Sequence, residues 1–268
     1  MLSVVFIVFL MGLAVGSFLN VVVYRMLTGE SFWRGRSKCP HCHRQIAWYD
    51  NIPLLSFLML RGKCRWCGQK ISWRYPVLEF LTALLFVWWL QVGTLFFRLT
   101  QPPYTWVQPT FWLVVGVAFL SMAVVDLYYG VLPDVFTVGV AVVAFLYRFG
   151  LTVMGIMKLE DFLLYVASAV GASFFFGILI LLTKGKGMGW GDVKLAFAIG
   201  LVLGWPKTLV ALVLAFLTGA IVGIILIISR KRSLKQTVPF GPFLVVGTLS
   251  ALVWGERMWQ TYMRYLGF

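Results

Sequence analysis

Eight apolar stretches recur along the chain, at 2–24, 77–98, 109–128, 131–150, 160–183, 192–204, 207–229 and 239–255. A helix that crosses a bilayer needs about 20 mostly apolar residues. Most of the stretches approach that length; the sixth is short and reads as a half-buried or tilted helix. Hydrophobic residues make up 61% of the 268 and charged residues only 12%, against roughly 45–50% and about a quarter in a soluble domain. No water-facing globule can cover that much apolar surface. Soluble enzymes, secreted disulfide scaffolds and disordered chains are excluded. The 12 tryptophans suit the interfacial belts of a bilayer protein. The first stretch has no basic segment before it and no clean small-x-small cleavage site, so it reads as a retained helix. The expected fold is an all-α polytopic membrane protein of about eight transmembrane helices. Residues 1–24 form the first helix, 25–76 a small zinc-ribbon-like loop domain, 77–255 the transmembrane core and 256–268 an interfacial tail.

The charges orient these spans. The chain carries 23 Lys+Arg against 9 Asp+Glu, a net +14. Segment 25–76 holds ten basic residues: Arg25, Arg34, Arg36, Lys38, Arg44, Arg61, Lys63, Arg65, Lys70 and Arg74. Lys184, Lys186 and Lys194, then Arg230, Lys231, Arg232 and Lys235, fall on the same side, for a total of 17. The other side receives six: Arg98, Arg148, Lys158, Lys207, Arg257 and Arg264. Basic residues concentrate on the cytoplasmic side, which puts 25–76 in the cytoplasm and both termini outside. The excess positive charge reads as basic loops held against an anionic leaflet. No nucleic-acid motif accompanies it.

All four cysteines lie in that loop, as Cys39-Pro40-His41-Cys42 and Cys64-Arg65-Trp66-Cys67. Two CxxC knuckles at this spacing predict a tetrahedral zinc site. A reducing cytoplasm keeps the thiols available, whereas two disulfides would need the opposite topology. Four thiolates leave no open position for water, so the zinc is expected to be structural and to fold a loop with little core of its own. His41 and His43 read as surface histidines, with replacement of a cysteine ligand as the alternative.

Few acids remain to carry chemistry. Glu30 and Asp50 belong to the basic loop and are expected to be solvated, and Glu160, Asp161 and Glu256 fall near outer loops. Glu79, Asp126, Asp134 and Asp192 lie at or inside spans, where a charge costs at least about 2.5–3.5 kcal/mol and is a functional candidate by default. Asp126 ends the third span and Asp192 begins the sixth, so the topology puts both at the cytoplasmic edge on different helices. Two close carboxylates share one proton. The ionised member deprotonates a water and the protonated member polarises a peptide carbonyl. The glycines before Asp192, including Gly189 and Gly191, would let an extended substrate approach the backbone closely; a flexible turn, with Asp192 capping its own helix, is the plainer reading. Asp134 and Lys194 rank as supporting residues. For Glu79 the plain reading is a pairing with a loop arginine.

Other proteolytic chemistries lack their residues. There is no HExxH for a zincin helix. The two histidines both lie in the cysteine loop, and no lysine lies mid-span. A transporter using Asp126, Asp134 and Asp192 as ion ligands is a weaker alternative, because no inverted repeat of broken helices is visible. A non-enzymatic assembly subunit that docks partners through its zinc loop is a third.

In combination these motifs resemble the type IV prepilin peptidases, bifunctional leader peptidases and N-methyltransferases of pilus and type II secretion systems. The resemblance is carried by Gly16-Ser17-Phe18-Leu19-Asn20 with Val23-Tyr24-Arg25, the paired CxxC, and Arg74-Tyr75-Pro76 with Glu79. It continues in Asp126 with Leu132-Pro133-Asp134, in Gly187-Met188-Gly189-Trp190-Gly191-Asp192-Val193-Lys194, and in Pro239-Phe240-Gly241-Pro242-Phe243. It implies an aspartic protease of the GxGD type with Asp126 and Asp192 as catalytic pair. The substrates would be prepilins or pseudopilins, cut after a glycine at the end of a basic leader on the cytoplasmic face of the inner membrane. It also implies methylation of the new N-terminal amine from S-adenosylmethionine; a peptidase without that second activity is the narrower alternative. Asn20, Arg25, Gly62, Arg74 and Glu79 are the candidates for placing the cofactor or the loop, Gly62 reading equally well as a turn before the second knuckle.

Overall fold

The structure, a computed structural model, describes residues 2–31, 35–93, 103–185, 187–229 and 238–267. Of the basic residues counted above, Arg34, Arg98, Lys186, Arg230, Lys231, Arg232 and Lys235 lie outside these, as do residues 94–98 of the second expected span. The described chain is helical: α1 (Leu2–Thr28), α2 (Leu55–Met59), α3 (Arg74–Trp88), α4 (Tyr104–Tyr129), α5 (Asp134–Val153), α6 (Leu159–Thr183), α7 (Trp190–Leu203), α8 (Lys207–Ile228) and α9 (Gly241–Tyr265). A π-turn, Trp89–Gly93, extends α3. The only β pairing among the described residues is two isolated bridges in the cysteine loop. Helices meet the demand of lipid that each segment satisfy its own backbone groups.

Among the described residues, six helices are long and apolar enough to cross a membrane: α1, α3 with its π-turn, α4, α5, α6 and α8. The expectation of eight is therefore approximate. At 14 residues, α7 rises only about 21 Å, short of a roughly 30 Å hydrocarbon core. The final helix carries Glu256, Arg257 and Arg264 in its C-terminal half and runs unbroken to Tyr265. Two starts also fall earlier than the apolar pattern indicates. α4 takes in Pro109 near its N-terminus, and α3 begins at Arg74 with Pro76 in its first turn, where proline is tolerated.

The chain divides into two units, Met1–Val124 and Val125–Phe268, with the boundary inside α4. In the first unit α1 lies against α3. Gly12 and Gly16 share one face of α1, and a Cβ added to them would lie 2.6 Å from Ala83 Cα and 2.7 Å from Glu79 Cα. Small residues allow such close backbone contact where lipid supplies no hydrophobic drive.

In the second unit the short helix α7 is the core. Leu195, Ala196, Ala198 and Ile199 are wholly buried, and α5, α6, α8 and α9 pack around it. A helix that is apolar on every face belongs inside a bundle. It runs parallel to α5, joined near one end by Lys194 to Asp134 and near the other by Arg148 to the Val202 carbonyl (2.8 Å). The Arg148 guanidinium also stacks 4.0 Å above the Tyr165 ring and sets a cation at the C-terminal, electronegative end of α7. The opposite end of α7 carries Asp192.

Candidate active site and metal centre

Asp126 occupies the last turn of α4, which Gly130 closes by donating to the Asp126 carbonyl. Its side chain is buried, and Oδ2 accepts the main-chain N–H of Gly241 at 2.8 Å. Gly241 is the first residue of α9, and Pro242 follows it in the opening turn, where a fixed φ suits a helix start. The helix thus begins with its electropositive end toward a carboxylate. A Cβ on Gly241 would fall 2.6 Å from Asp126 Oδ2, so this position requires glycine. Phe240 fastens the motif by packing on Phe216 and Phe176, with ring centroids 5.0 and 6.1 Å away.

Asp192 is the third residue of α7 and is also buried. Its Oδ2 accepts the N–H of Gly189 (3.2 Å), the residue before the helix. The plainer reading of Asp192 as a helix-terminal acceptor is therefore realised, and it leaves the carboxylate fixed in direction. Gly191 faces Leu132, whose Cβ would lie 3.0 Å from a Cβ on that glycine. The α4–α5 turn is thereby seated on the start of α7. Asp126 is near enough for its charge to act on Asp192. Two buried carboxylates from segments 66 residues apart in sequence thus lie within electrostatic reach of one another in the second unit, each oriented by a glycine amide.

Asp134 opens α5, and its Oδ1 pairs with Lys194 Nζ at 2.7 Å. Both side chains are half-exposed, so the bond joins α5 to α7 two residues beyond Asp192 without entering the buried carboxylate pair.

The four cysteine sulfurs lie within 4.8 Å of one another, and no disulfide joins them. The Cys39–Cys67 separation is 3.9 Å. Four sulfurs about 2.3 Å from one ion at tetrahedral angles are about 3.8 Å apart, so the set fits a tetrahedral cation. The knuckles are near copies. Lys38 bridges Gln45 as Lys63 bridges Lys70; Cys39 N–H donates to Arg44 as Cys64 N–H donates to Gln69. His43 and Gly68 occupy the equivalent left-handed position, at φ 55° and 68°. The N–H of Cys67 draws the Cys64 thiol down to about 7, while burial and the neighbouring sulfurs push the Cys67 thiol up to about 11, so of these two Cys64 gives up its proton first. His41 and His43 are exposed and stand outside the cluster. Asp50, expected to be solvated, is instead covered: Arg65 holds it through two hydrogen bonds of 2.8 and 2.6 Å, and its side chain is 7% exposed.

The five candidates for cofactor or loop placement separate into two groups. Asn20, Arg74 and Glu79 lie where α1 meets the start of α3. Asn20 Nδ2 donates to the Tyr75 carbonyl (3.1 Å), Arg74 bonds and stacks on Tyr75, and buried Glu79 accepts the Leu54 N–H (2.9 Å) with the Ser17 hydroxyl beside it. Arg25 instead donates to the carbonyls of Ser31, Gly35 and Arg36, and Gly62 forms a turn at φ 66° against the Phe57 ring. Those two shape the loop. By residue type alone, neither Gly241 nor Leu54 stands out in the sequence. Only the Pro-Phe-Gly-Pro-Phe motif signalled the first, and nothing local signalled the second.

Residues 10–92 match the bacterial peptidase A24 N-terminal domain, and residues 112–224 match the type IV leader peptidase family. The prepilin leader peptidase/N-methyltransferase of Aeromonas hydrophila is 34% identical over 96% of this chain and 92% of its own length. The proteins of the same name from Pseudomonas aeruginosa and Legionella pneumophila are 33% and 32% identical, over 97% and 96% of this chain and 93% of each relative. The chain belongs to the type IV leader peptidase family. The segment matched to the leader peptidases contains Asp126, Asp134 and Gly187–Lys194, and the A24 N-terminal match contains all four cysteines. Gly241, which fixes Asp126, lies beyond both matched segments. No solved structure matches the chain.

Proposed function

We propose that this chain is a membrane-embedded aspartic endopeptidase that removes the leader of prepilin-like substrates and methylates the N-terminus it exposes. The observation that carries the reading is the pair of buried carboxylates, Asp126 and Asp192, each held by one glycine amide and near enough to interact. Sharing one proton, the pair positions a water between them. The ionised carboxylate accepts a proton as the water oxygen bonds to the scissile carbonyl carbon, and the protonated one donates to the carbonyl oxygen. Collapse of the tetrahedral intermediate breaks the C–N bond, and the amine leaves with a proton returned by the pair. Gly189 leaves the main chain beside Asp192 open to an extended peptide. Asp134 and Lys194 set the spacing of α5 and α7.

The prepilin leader peptidase/N-methyltransferase name of the relatives supports prepilin or pseudopilin substrates and a second, methylating activity. S-adenosylmethionine supplies an electrophilic methyl group to a neutral amine. A carboxylate, a carboxamide and a guanidinium suit its sulfonium, hydroxyls and carboxylate, so Asn20, Arg74 and Glu79 would hold it. Cys39, Cys42, Cys64 and Cys67 would hold zinc in a closed, structural site. The 17-to-6 division of basic residues supports an inner-membrane protein with the cysteine loop and the aspartates on the cytoplasmic side.

The test is co-expression with a prepilin carrying its leader, followed by mass spectrometry of the product. The expected spectrum holds a chain shortened by the leader and heavier by one methyl group. An uncut precursor refutes the peptidase. A cut, unmethylated product refutes the transferase alone.

A further inference from the structure

The helix α2 turns its apolar side outward. Leu55, Leu58 and Met59 are 49%, 70% and 71% exposed, while Ser56 is buried. Positions i, i+3 and i+4 share one face of a helix, so the three form a single apolar ridge. The ridge cannot be hidden by rotating the helix, because its polar side is fastened. Ser56 Oγ accepts the Ile52 N–H (3.0 Å) and donates to the Tyr49 carbonyl (2.9 Å). The Leu54 N–H, just before the helix, donates to buried Glu79. Glu79 lies five residues into α3, a helix that with its π-turn is long and apolar enough to cross the membrane, or about 7.5 Å along its axis. That bond fixes α2 beside the first turns of this helix, the level at which a helix of membrane-spanning length passes from headgroups to acyl chains. Trp73, 67% exposed, packs on Phe57 of α2, ring centroids 4.9 Å apart, and tryptophan favours this depth. Just beyond α2, Arg61 and Lys63 are exposed, in a loop with ten basic residues and only Glu30 and Asp50 to oppose them.

We propose that α2 is an interfacial helix, with Leu55, Leu58 and Met59 inserted in the leaflet facing the cysteine loop and Arg61 and Lys63 on anionic lipid headgroups. The apolar ridge opposite a fixed polar side suits a helix lying in the interface plane, and five residues are too few to cross. Basic residues near an anionic surface are attracted to it, so the patch prefers anionic over zwitterionic lipid. Insertion would hold the cysteine loop to the bilayer at a third point, besides α1 and α3.

The experiment places a photo-crosslinking benzoylphenylalanine at Leu55, Leu58 or Met59, one at a time, in the full chain. Each variant is reconstituted in nanodiscs of phosphatidylethanolamine and phosphatidylglycerol, with exposed Gln69 as the control position. Metal retention by the four cysteines reports that the loop is folded. The expected result is lipid adducts from the three ridge positions and none from Gln69. Phosphatidylglycerol should exceed its mole fraction among the adducts and return to it in the Arg61→Ser/Lys63→Ser variant. Crosslinks from the ridge to residues 125–268, to a second copy or to a prepilin overturn the proposal, as does the absence of lipid adducts from folded variants.

Discussion

The main-chain N–H of Gly241 donates to Oδ2 of Asp126 at 2.8 Å, and a methyl group on Gly241 would lie 2.6 Å from that same oxygen. One contact between residues 115 apart in sequence both orients the carboxylate and forbids a side chain. Gly241→Ala is expected to push Asp126 out of position while leaving the bundle assembled. A misplacement near 1 Å costs about 100-fold in rate. The measurement is single-turnover prepilin cleavage with membrane-inserted protein held constant. Unchanged cleavage would mean that the amide of α9 is not needed to aim Asp126.

The Asp134–Lys194 pair is half-exposed on both sides, and such pairs contribute about 0–1 kcal/mol. Asp134→Asn and Lys194→Met, alone and combined, are therefore expected to lower thermal stability slightly and to reduce cleavage by less than about tenfold. A double-mutant cycle reads the coupling. A loss as deep as that from removing Asp192 would make Asp134 part of the reacting group rather than a strut between α5 and α7.

In the metal loop, Gly68 and His43 hold equivalent left-handed positions. Side chains other than glycine, asparagine, aspartate and histidine adopt this conformation at a cost of about 1–2 kcal/mol. Gly68→Ala should weaken zinc retention roughly five- to thirtyfold, while His43→Gly should not weaken it. Competition with a chelator measures both, and elemental analysis should return one zinc per wild-type chain. Removing the metal should open the segment around residues 39–67 to proteolysis.

The features legible in the sequence are those carried by local pattern. Cysteine spacing alone picks out Cys39, Cys42, Cys64 and Cys67, and runs of apolar residues locate the helices because lipid imposes length and composition together. Helix ends were less legible. Pro109 reads as a boundary yet lies inside α4, and the fourteen-residue α7 is as apolar as a span because it is buried in protein rather than in lipid. Contacts made by backbone atoms leave no residue-type signature. The Gly241 amide on Asp126 and the Leu54 amide on Glu79 belong to this class, as does the choice among Asn20, Arg25, Gly62, Arg74 and Glu79. The covered position of Asp50 depends on Arg65, fifteen residues on, reaching back to it over the Tyr49 ring, which charge counting does not reveal.

The central claim is that Asp126 and Asp192 together hydrolyse the leader bond. It is tested most directly by cleavage of a leader-bearing prepilin by the wild-type chain, Asp126→Asn and Asp192→Asn in the same membranes. Either substitution keeps the side-chain shape and removes the acid–base function, which is worth about 10²–10⁴-fold. Both variants should insert, retain zinc and leave the substrate uncut. Wild-type cleavage by the two variants would contradict the account.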